Sequence, residues 1–314
     1  MKKSGTDRYF LRENGVPYIN WKKVRAEGAT HPARRTERYY TSLIKRWLAL
    51  FPAAFGGTFT LLESPDVLYY TYFEPDVARE RFQIICEIRA KLIEVLGDIV
   101  PKEYVGKNLI LEFGTLEDYY RYIAHYYPKP TNKKKAVFPS SAGVMLSGGY
   151  MHIVLSHFAR QSLSSIVSHE LSHVWLAYYR PPSWLNEGIA TNVESMFGAS
   201  RLLWEMPQYR SLVDEPFSTW TKKMFKSFVS GRMTSRYKYQ HTFYQTAFVV
   251  VHNILDSRID LPRLLEAIRK GQDAVEALQE LSGKSILDFF PPKIRAEIEQ
   301  DGSQPPSVTT LSAN

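Results

Sequence analysis

The sequence predicts an α+β fold in which the strands come first and the helices last. Short stretches with strand character lie before Leu155 and are bounded by turn signals such as Ser64-Pro65-Asp66. Longer stretches with apolar residues at helical spacing follow Leu155. We therefore expect a small mixed or antiparallel sheet with helices in the N-terminal half, and a mainly helical C-terminal half.

Residues 1–57 predict a basic N-terminal segment with one helix. Residues 1–50 contain twelve Lys or Arg and four Asp or Glu, a difference equal to the net charge of +8 of the whole chain. Arg38–Leu50 is expected to form the helix, which Pro52 ends. A segment of this charge could make weak contact with an anionic surface, although a solvated basic segment is the ordinary alternative.

Residues 58–155 are expected to form the α/β half of one domain, which continues to residue 300. A long amphipathic helix is expected to end at Gly97, and Gly148-Gly149 is typical of a two-residue hairpin turn. An exposed edge at this hairpin could pair with an extended peptide, and an ordinary core strand is the alternative. The expected strands are Thr58–Leu62, Val67–Phe73, Asn108–Phe113, Ala142–Ser147 and Tyr150–Leu155, and the expected helices are Pro75–Leu96 and Leu116–His125.

Residues 156–300 predict the helical half. The first helix spans Ser162–Tyr179 and meets no Gly or Pro until Pro181, and Ser183 is expected to cap the next one. Further helices are expected at Phe243–Leu255, Pro262–Lys270 and Ala274–Leu281, and a short one is expected from Ile286. The segment 301–314 contains one Gly, three Ser and two Pro, and its composition predicts a disordered tail.

The run His169-Glu170-Leu171-Ser172-His173 carries the most specific chemistry of the chain. Residues four apart on an α-helix are separated by roughly 40° around its axis, so the two imidazoles share a face. Two neutral imidazoles held in this way are half of a tetrahedral zinc site, with Glu170 beside them to act on a water. The alternative is a helix with two partly buried histidines that make ordinary hydrogen bonds.

A third ligand is expected at Glu187, fourteen residues after His173 and beyond Pro181-Pro182. Two histidines and one glutamate leave the fourth position of a zinc ion open for water, as in catalytic zinc sites. Glu194 follows seven residues later on the same helical face. It could hydrogen-bond an imidazole N–H, or it could be a plain exposed glutamate.

These residues resemble the gluzincin metallopeptidases, the superfamily that includes thermolysin and the aminopeptidase N-like enzymes. The resemblance rests on H-E-L-S-H at 169–173 and W-L-N-E-G-I-A at 184–190. It implies one zinc ion held by His169, His173 and Glu187, with Glu170 as general base and acid. It also implies a thermolysin-like catalytic core, in which an α/β half supplies a strand along the cleft and a helical half follows.

The sequence departs from the better-known members of this superfamily in three ways. The spacing from His173 to Glu187 is short and resembles a compact, poorly characterised branch. The Gly-x-Met-Glu-Asn strand of aminopeptidases is matched only in outline by residues 143–147, which carry no carboxylate at Leu146, so an endopeptidase or an unusual specificity is favoured. The tyrosine that stabilises the oxyanion in many relatives falls in register on Phe243; Tyr244 is our prediction for this role, and Tyr239 and His241 remain alternatives.

The sequence therefore predicts a zinc-dependent peptidase that acts on peptide or protein substrates through a metal-activated water, with Glu170 as general base. One alternative is a non-catalytic interaction module that keeps the metal helix as a scaffold and binds an anionic partner through its basic N-terminal arm. Another is a zinc hydrolase of a different amide or ester. The single cysteine excludes a thiolate zinc site and internal disulfides. Nothing in the sequence resembles a phosphate-binding loop or a zinc finger, so nucleic acid is not an expected partner.

The first residues lack the apolar core of a signal peptide, which favours a cytoplasmic protein. The apolar run from Trp47 to Phe55 is short and contains Pro52. We therefore expect a buried helix end there rather than a membrane span.

Overall fold

The computed structural model of the protein describes residues 7–28, 33–102, 106–127, 142–156, 163–197, 220–233 and 237–301. The chain divides into two compact units, Met1–Trp175 and Leu176–Asn314. The tail expected at 301–314 lies outside the described residues except for Asp301. Among the described residues, no helix combines the length and the apolar character needed to cross a bilayer.

The N-terminal segment contains more structure than the single helix expected from its sequence. Strands β1 (Phe10–Glu13) and β2 (Val16–Ile19) pair antiparallel, and three helices follow, α1 (Trp21–Gly28), α2 (Ala33–Leu48) and α3 (Phe51–Phe55). Asn14 and Gly15 both have positive φ, 50° and 81°, which is the geometry of a two-residue hairpin turn. Pro52 is the second residue of α3, and a proline fits there because its missing N–H is not needed in the first turn of a helix.

A five-stranded mixed sheet forms the centre of the first unit, as the α+β prediction required. Its strands are β3 (Thr60–Glu63), β4 (Val67–Thr71), β5 (Asn108–Glu112), β6 (Gly143–Leu146) and β7 (His152–Leu155), in the order β3-β4-β5-β7-β6. Strands β4, β5 and β7 are parallel, and β3 and β6 pair antiparallel with their neighbours at the two ends of this order. Helices α4 (Pro75–Leu96) and α5 (Leu116–Ile123) lie between strands in the chain, and α6 (Leu163–Leu176) follows β7.

The hairpin turn predicted at Gly148-Gly149 is wrong in length. Strand β6 ends at Leu146 and its partner begins at His152, so five residues connect the two strands. A Cβ at Gly149 would collide with the Trp21 ring, and one at Gly148 would lie 2.8 Å from Tyr126. The two glycines are required because aromatic rings pack against the loop backbone, and Gly149 also has a φ of 147°, a conformation that other residues rarely adopt.

The two faces of the sheet pack against different partners. One face, which carries Leu68, Tyr70, Leu109, Leu111 and Val154, joins a large aromatic core contributed by the N-terminal helices and α5. This core includes Trp47, Phe51, Phe113 and Tyr122. Because the strand residues of both faces are buried, the central strands read as continuous apolar runs in the sequence.

The opposite face holds α4 through a buried ion pair. Arg81 of α4 donates to both carboxylate oxygens of Glu112 at 2.5 and 3.1 Å, and the Tyr69 hydroxyl donates to the same carboxylate. All three side chains are buried. Removing one partner of such a pair leaves an uncompensated buried charge and destabilises a protein by about 3–5 kcal/mol. The pair therefore fixes the position of α4 on the sheet.

The second unit is helical over its described residues. Its helices are α7 (Ser183–Phe197), α8 (Lys222–Val229), α9 (Tyr237–Asp256), α10 (Leu261–Arg269), α11 (Ala274–Ser282) and α12 (Pro292–Gln300). Asp260 and Asp273 accept hydrogen bonds from the first turns of α10 and α11, and Gly283 ends α11 in the left-handed conformation. Ser285 caps the short helix Ile286–Phe289, as its sequence predicts.

His152 is a buried histidine in the aromatic core of the first unit. Its Nδ1 lies 2.8 Å from the Tyr150 carbonyl, which can only accept, so Nδ1 carries the proton. In the neutral ring, Nε2 therefore accepts from the Tyr122 hydroxyl at 2.8 Å. Burial lowers the pKa of His152 from 6.5 to about 4, because the charged ring would lose its hydration.

We predict that this histidine makes the fold less stable in mild acid. Below about pH 6.5 the unfolded chain binds a proton at this position, whereas the folded chain resists protonation until about pH 4. As the pH falls from about 6.5 to about 4, the contribution of His152 should therefore lower the free energy of unfolding by up to about 3 kcal/mol. Above about pH 6.5 this group should have no effect on the pH dependence. Urea unfolding across this range measures the effect.

The matched variant is His152→Gln, whose amide can serve both hydrogen bonds without titrating. Its stability should be lower at neutral pH and should depend less on pH between about 4 and 6.5. An equal pH dependence in the two proteins would show that His152 is not the titrating group.

Candidate metal centre

Helix α6 presents the His-Glu-x-x-His run from a rigid, buried element. Val167, Leu171 and Val174 are buried on this helix, where the apolar spacing predicts. The hydroxyls of Ser168 and Ser172 donate to the carbonyls of residues 165 and 168, so these polar groups are buried at little cost. The side chains of the motif thus lie on a helix that is packed into the protein.

The two imidazoles converge as their spacing predicts. The Nε2 atoms of His169 and His173 lie 3.0 Å apart, and the ring planes are inclined by 82°. For comparison, two nitrogens that bind one tetrahedral zinc ion, each about 2.0–2.1 Å from the metal, lie about 3.4 Å apart. Glu170 is 8% exposed and His173 is 7% exposed, while His169 is half-buried.

Glu187 joins the two histidines. His169, His173 and Glu187 each offer one ligand atom, and these atoms lie within 4.8 Å of one another. Two imidazoles and one carboxylate are a donor set that zinc accepts, and they leave one position open. The structure thus brings together the three residues that the sequence selected as ligands.

Glu187 owes its position to the way α7 begins. The Pro182 carbonyl accepts hydrogen bonds from the amides of Leu185 and Asn186, so Pro182 takes the capping position and Ser183 is the first helical residue. The prediction that Ser183 caps the helix is therefore wrong by one residue. The expected consequence still holds, since Glu187 lies close to the start of α7.

A close helix crossing holds α7 in place. A Cβ at Gly188 would lie 2.5 Å from the Ala247 carbonyl oxygen of α9 and would collide with the Val251 side chain. Asn192 of α7 donates from Nδ2 to the carbonyls of Gly188 and Phe248, at 2.7 and 3.0 Å. The small residue at 188 therefore permits the approach, and the amide of Asn192 locks it.

Glu170 has two neighbours that bear on its chemistry. A Cβ at Gly143 would collide with Ile166 of α6 and would lie 3.6 Å from Glu170 Cγ, so the backbone of strand β6 passes close to the Glu170 side chain. Strand β6 also stands at one end of the strand order. Tyr127 is the second neighbour: burial raises the pKa of its phenol, and the negative charge of Glu170 raises it further.

Sequence reasoning did not find Tyr127. The residue lies in the turn after α5 and belongs to no motif with the metal helix, in a chain that contains twenty tyrosines. Only the folding of residues distant in the sequence places its phenol within the electrostatic reach of Glu170.

Tyr244, the residue predicted to stabilise the oxyanion, is half-buried on α9 with its ring 5.8 Å from that of Phe243. Phe243 itself is buried against Phe228. The side chains of the alternatives, Tyr239 and His241, lie outside the described residues. Glu194 is half-buried on α7. The roles of Tyr244 and Glu194 therefore stay predictions. No protein-family model matches the chain.

We predict that Gly188→Ala disturbs the position of Glu187. The added methyl group meets a backbone oxygen, which cannot rotate away, so α7 and α9 must separate. Overpacking of this kind costs about 1–3 kcal/mol. Thermal or urea unfolding measures the loss. Ser195→Ala, a small change on the same helix, is the control; an equal effect in the two variants would contradict the close crossing.

Proposed function

We propose that this protein is a zinc-dependent peptidase that hydrolyses internal bonds of peptides or exposed protein segments. The observation that carries the proposal is the convergence of His169, His173 and Glu187, with the carboxylate of Glu170 on the same helix as the two imidazoles. The sequence resemblance to gluzincin metallopeptidases supports the same assignment.

The two imidazoles and the Glu187 carboxylate would hold the ion. A zinc ion bound there supplies a Lewis acid that polarises a carbonyl and lowers the pKa of a water. Glu170 accepts a proton from the water as its oxygen attacks the carbonyl carbon of the substrate. When the carbon–nitrogen bond breaks, Glu170 delivers that proton to the leaving nitrogen, and the carboxylate is regenerated. No covalent enzyme intermediate is required.

Strand β6 supports action on an extended peptide. Its backbone lies next to Glu170 at Gly143, and an end strand can add a peptide through main-chain hydrogen bonds. The corresponding strand of aminopeptidases carries a glutamate that binds the free amine of the substrate, whereas this chain has Leu146, which is buried. We therefore favour cleavage within a chain over removal of its first residue.

We predict that Glu170→Gln loses peptidase activity by roughly 10²–10⁴-fold and keeps its zinc, because the amide cannot accept the proton. The measurements are the cleavage of a complex peptide mixture, read by mass spectrometry, and the metal content of the purified protein. Glu87→Gln, an exposed change on α4, should cleave as the wild type does.

Two results would reject the peptidase. One is a Glu170→Gln protein that cleaves at the wild-type rate. The other is a wild-type protein that cleaves nothing in a broad peptide pool while it binds zinc, which would favour an interaction module or a hydrolase of another amide or ester.

We also predict that zinc stabilises the wild-type protein against unfolding by about 2.7 kcal/mol when the free metal exceeds its dissociation constant about 100-fold. Glu187→Ala removes one of three ligands and should abolish most of this gain. Glu280→Gln, an exposed change on α11, should retain it. Thermal unfolding with and without zinc measures both. A gain in Glu187→Ala equal to that of the wild type would exclude Glu187 as a ligand.

A further inference from the structure

We propose that a basic cavity beside helix α8 binds an acidic segment of the peptide substrate; the inference rests on the proposed peptidase function and adds a substrate class to it. The cavity has a volume of about 650 Å³. Lys222, Lys223, Lys226 and Arg232 line it together with Met224 and Met233. The four cationic residues are exposed, and Met233 is buried. The cavity thus combines cationic groups with an apolar floor.

The charge of this region is one-sided in the sequence. Residues 216–255 contain six Lys or Arg and no Asp or Glu, and four of the six line the cavity. Outside residues 1–50 the chain carries equal numbers of acidic and basic residues, so this run of basic residues is a local departure in the sequence. Several cations that face one cavity produce a field that attracts an anionic group.

Two of the described carboxylates near the start of α8 bind backbone amides. Glu297 accepts from the Trp220 amide at 2.8 Å, and Asp301 accepts from the Lys222 amide at 2.6 Å. They satisfy amides that precede or begin the helix, where the N–H groups have no partner within the helix. Arg232 donates from Nε to the Ser230 hydroxyl at 3.0 Å, which positions its guanidinium at the cavity.

Helix α8, which lines the cavity, packs against α7, the helix that carries Glu187. The Phe228 ring of α8 packs against the Trp184 ring of α7, with ring centroids 6.4 Å apart. A Cβ at Gly231, in the turn after α8, would lie 2.9 Å from the Ser183 hydroxyl oxygen. Ser183 and Trp184 begin α7, and Glu187 follows within one helical turn. A peptide held at the cavity is therefore held by the same helix pair that supplies a metal ligand.

The shape and lining favour a peptide over other anions. A recessed cavity of this volume accommodates a few side chains, and the two methionines provide an adaptable apolar surface for the carbon atoms between acidic groups. A membrane surface or a nucleic acid would be served better by a convex or extended cationic surface. We infer a substrate segment in which Asp or Glu residues are mixed with apolar residues.

The first experiment measures binding in the Glu170→Gln background, so that its result does not depend on cleavage. The probe is a fluorescein-labelled peptide of mixed Glu, Asp, Leu and Ala, and its partner peptide has Gln and Asn in place of the acids. Fluorescence anisotropy should show tighter binding of the acidic peptide. Raising the salt concentration should weaken that preference, because exposed charges are screened.

The second experiment removes the charge. Lys222→Gln, Lys223→Gln and Lys226→Gln together should weaken binding of the acidic peptide by roughly 3- to 30-fold, since exposed ion pairs each contribute modestly. The control combines Lys91→Gln, Lys102→Gln and Lys293→Gln, which are exposed and change the net charge equally. The control should bind the acidic peptide as the parent does. Circular dichroism and thermal unfolding verify that both triple variants fold.

Two outcomes overturn the inference: equal binding of the acidic and amide peptides, or equal weakening in the two triple variants. Binding of anionic phospholipid vesicles or of a DNA duplex that is lost only in the cavity variant, without a loss for the acidic peptide, would also overturn it. If the acidic preference is found but the wild-type protein cleaves no peptide, the cavity stands and the peptidase fails. If the wild-type protein cleaves peptides but shows no preference for the acidic peptide, the peptidase stands and the cavity proposal fails.

Discussion

The placement of two imidazoles on one face of a buried helix is the constraint on which the proposed chemistry depends. A metal ion needs its ligands at fixed separations, and α6 supplies this because its apolar residues are packed inside the protein while its serine hydroxyls are satisfied by the helix itself. The 3.0 Å separation of the two Nε2 atoms follows from the four-residue spacing and from the inclination of the two rings. The third candidate ligand, Glu187, lies on α7, which crosses α9 closely at Gly188.

In the sheet of the first unit, the aromatic core lies on one face, and strand β6 at one end lies beside the candidate site. One face carries a core rich in Trp, Tyr and Phe, in which burial holds His152 neutral and the ring makes two hydrogen bonds. The end strand β6 brings its backbone against α6 at a glycine, beside Glu170. A larger residue at 143 would push the strand away from the carboxylate. The close contact between β6 and α6 would therefore place a peptide bound along β6 next to Glu170, the proposed general base.

Much of this arrangement could be predicted from the sequence, and the failures have physical reasons. The bounds of α4 were predicted correctly because Pro75 and Gly97 mark its ends unambiguously. The three candidate ligands were found because helical spacing and donor chemistry are local properties. The hairpin at Asn14-Gly15 was not predicted, although an Asn-Gly pair is a local signal for a two-residue turn. The Gly148-Gly149 turn and Tyr127 depended on contacts with Trp21, Tyr126 and Glu170, which no local pattern reveals.

X-ray absorption at the zinc edge of the metal-loaded protein tests the central claim most directly, because it reports the atoms around the ion without reference to any substrate. The account predicts two imidazole nitrogens and one carboxylate oxygen at about 2.0–2.2 Å, with a further light atom in the open position. Substituting Glu187 should remove one oxygen from this set and leave both nitrogens. A spectrum with fewer than two imidazoles, or one that Glu187→Ala leaves unchanged, would contradict the account.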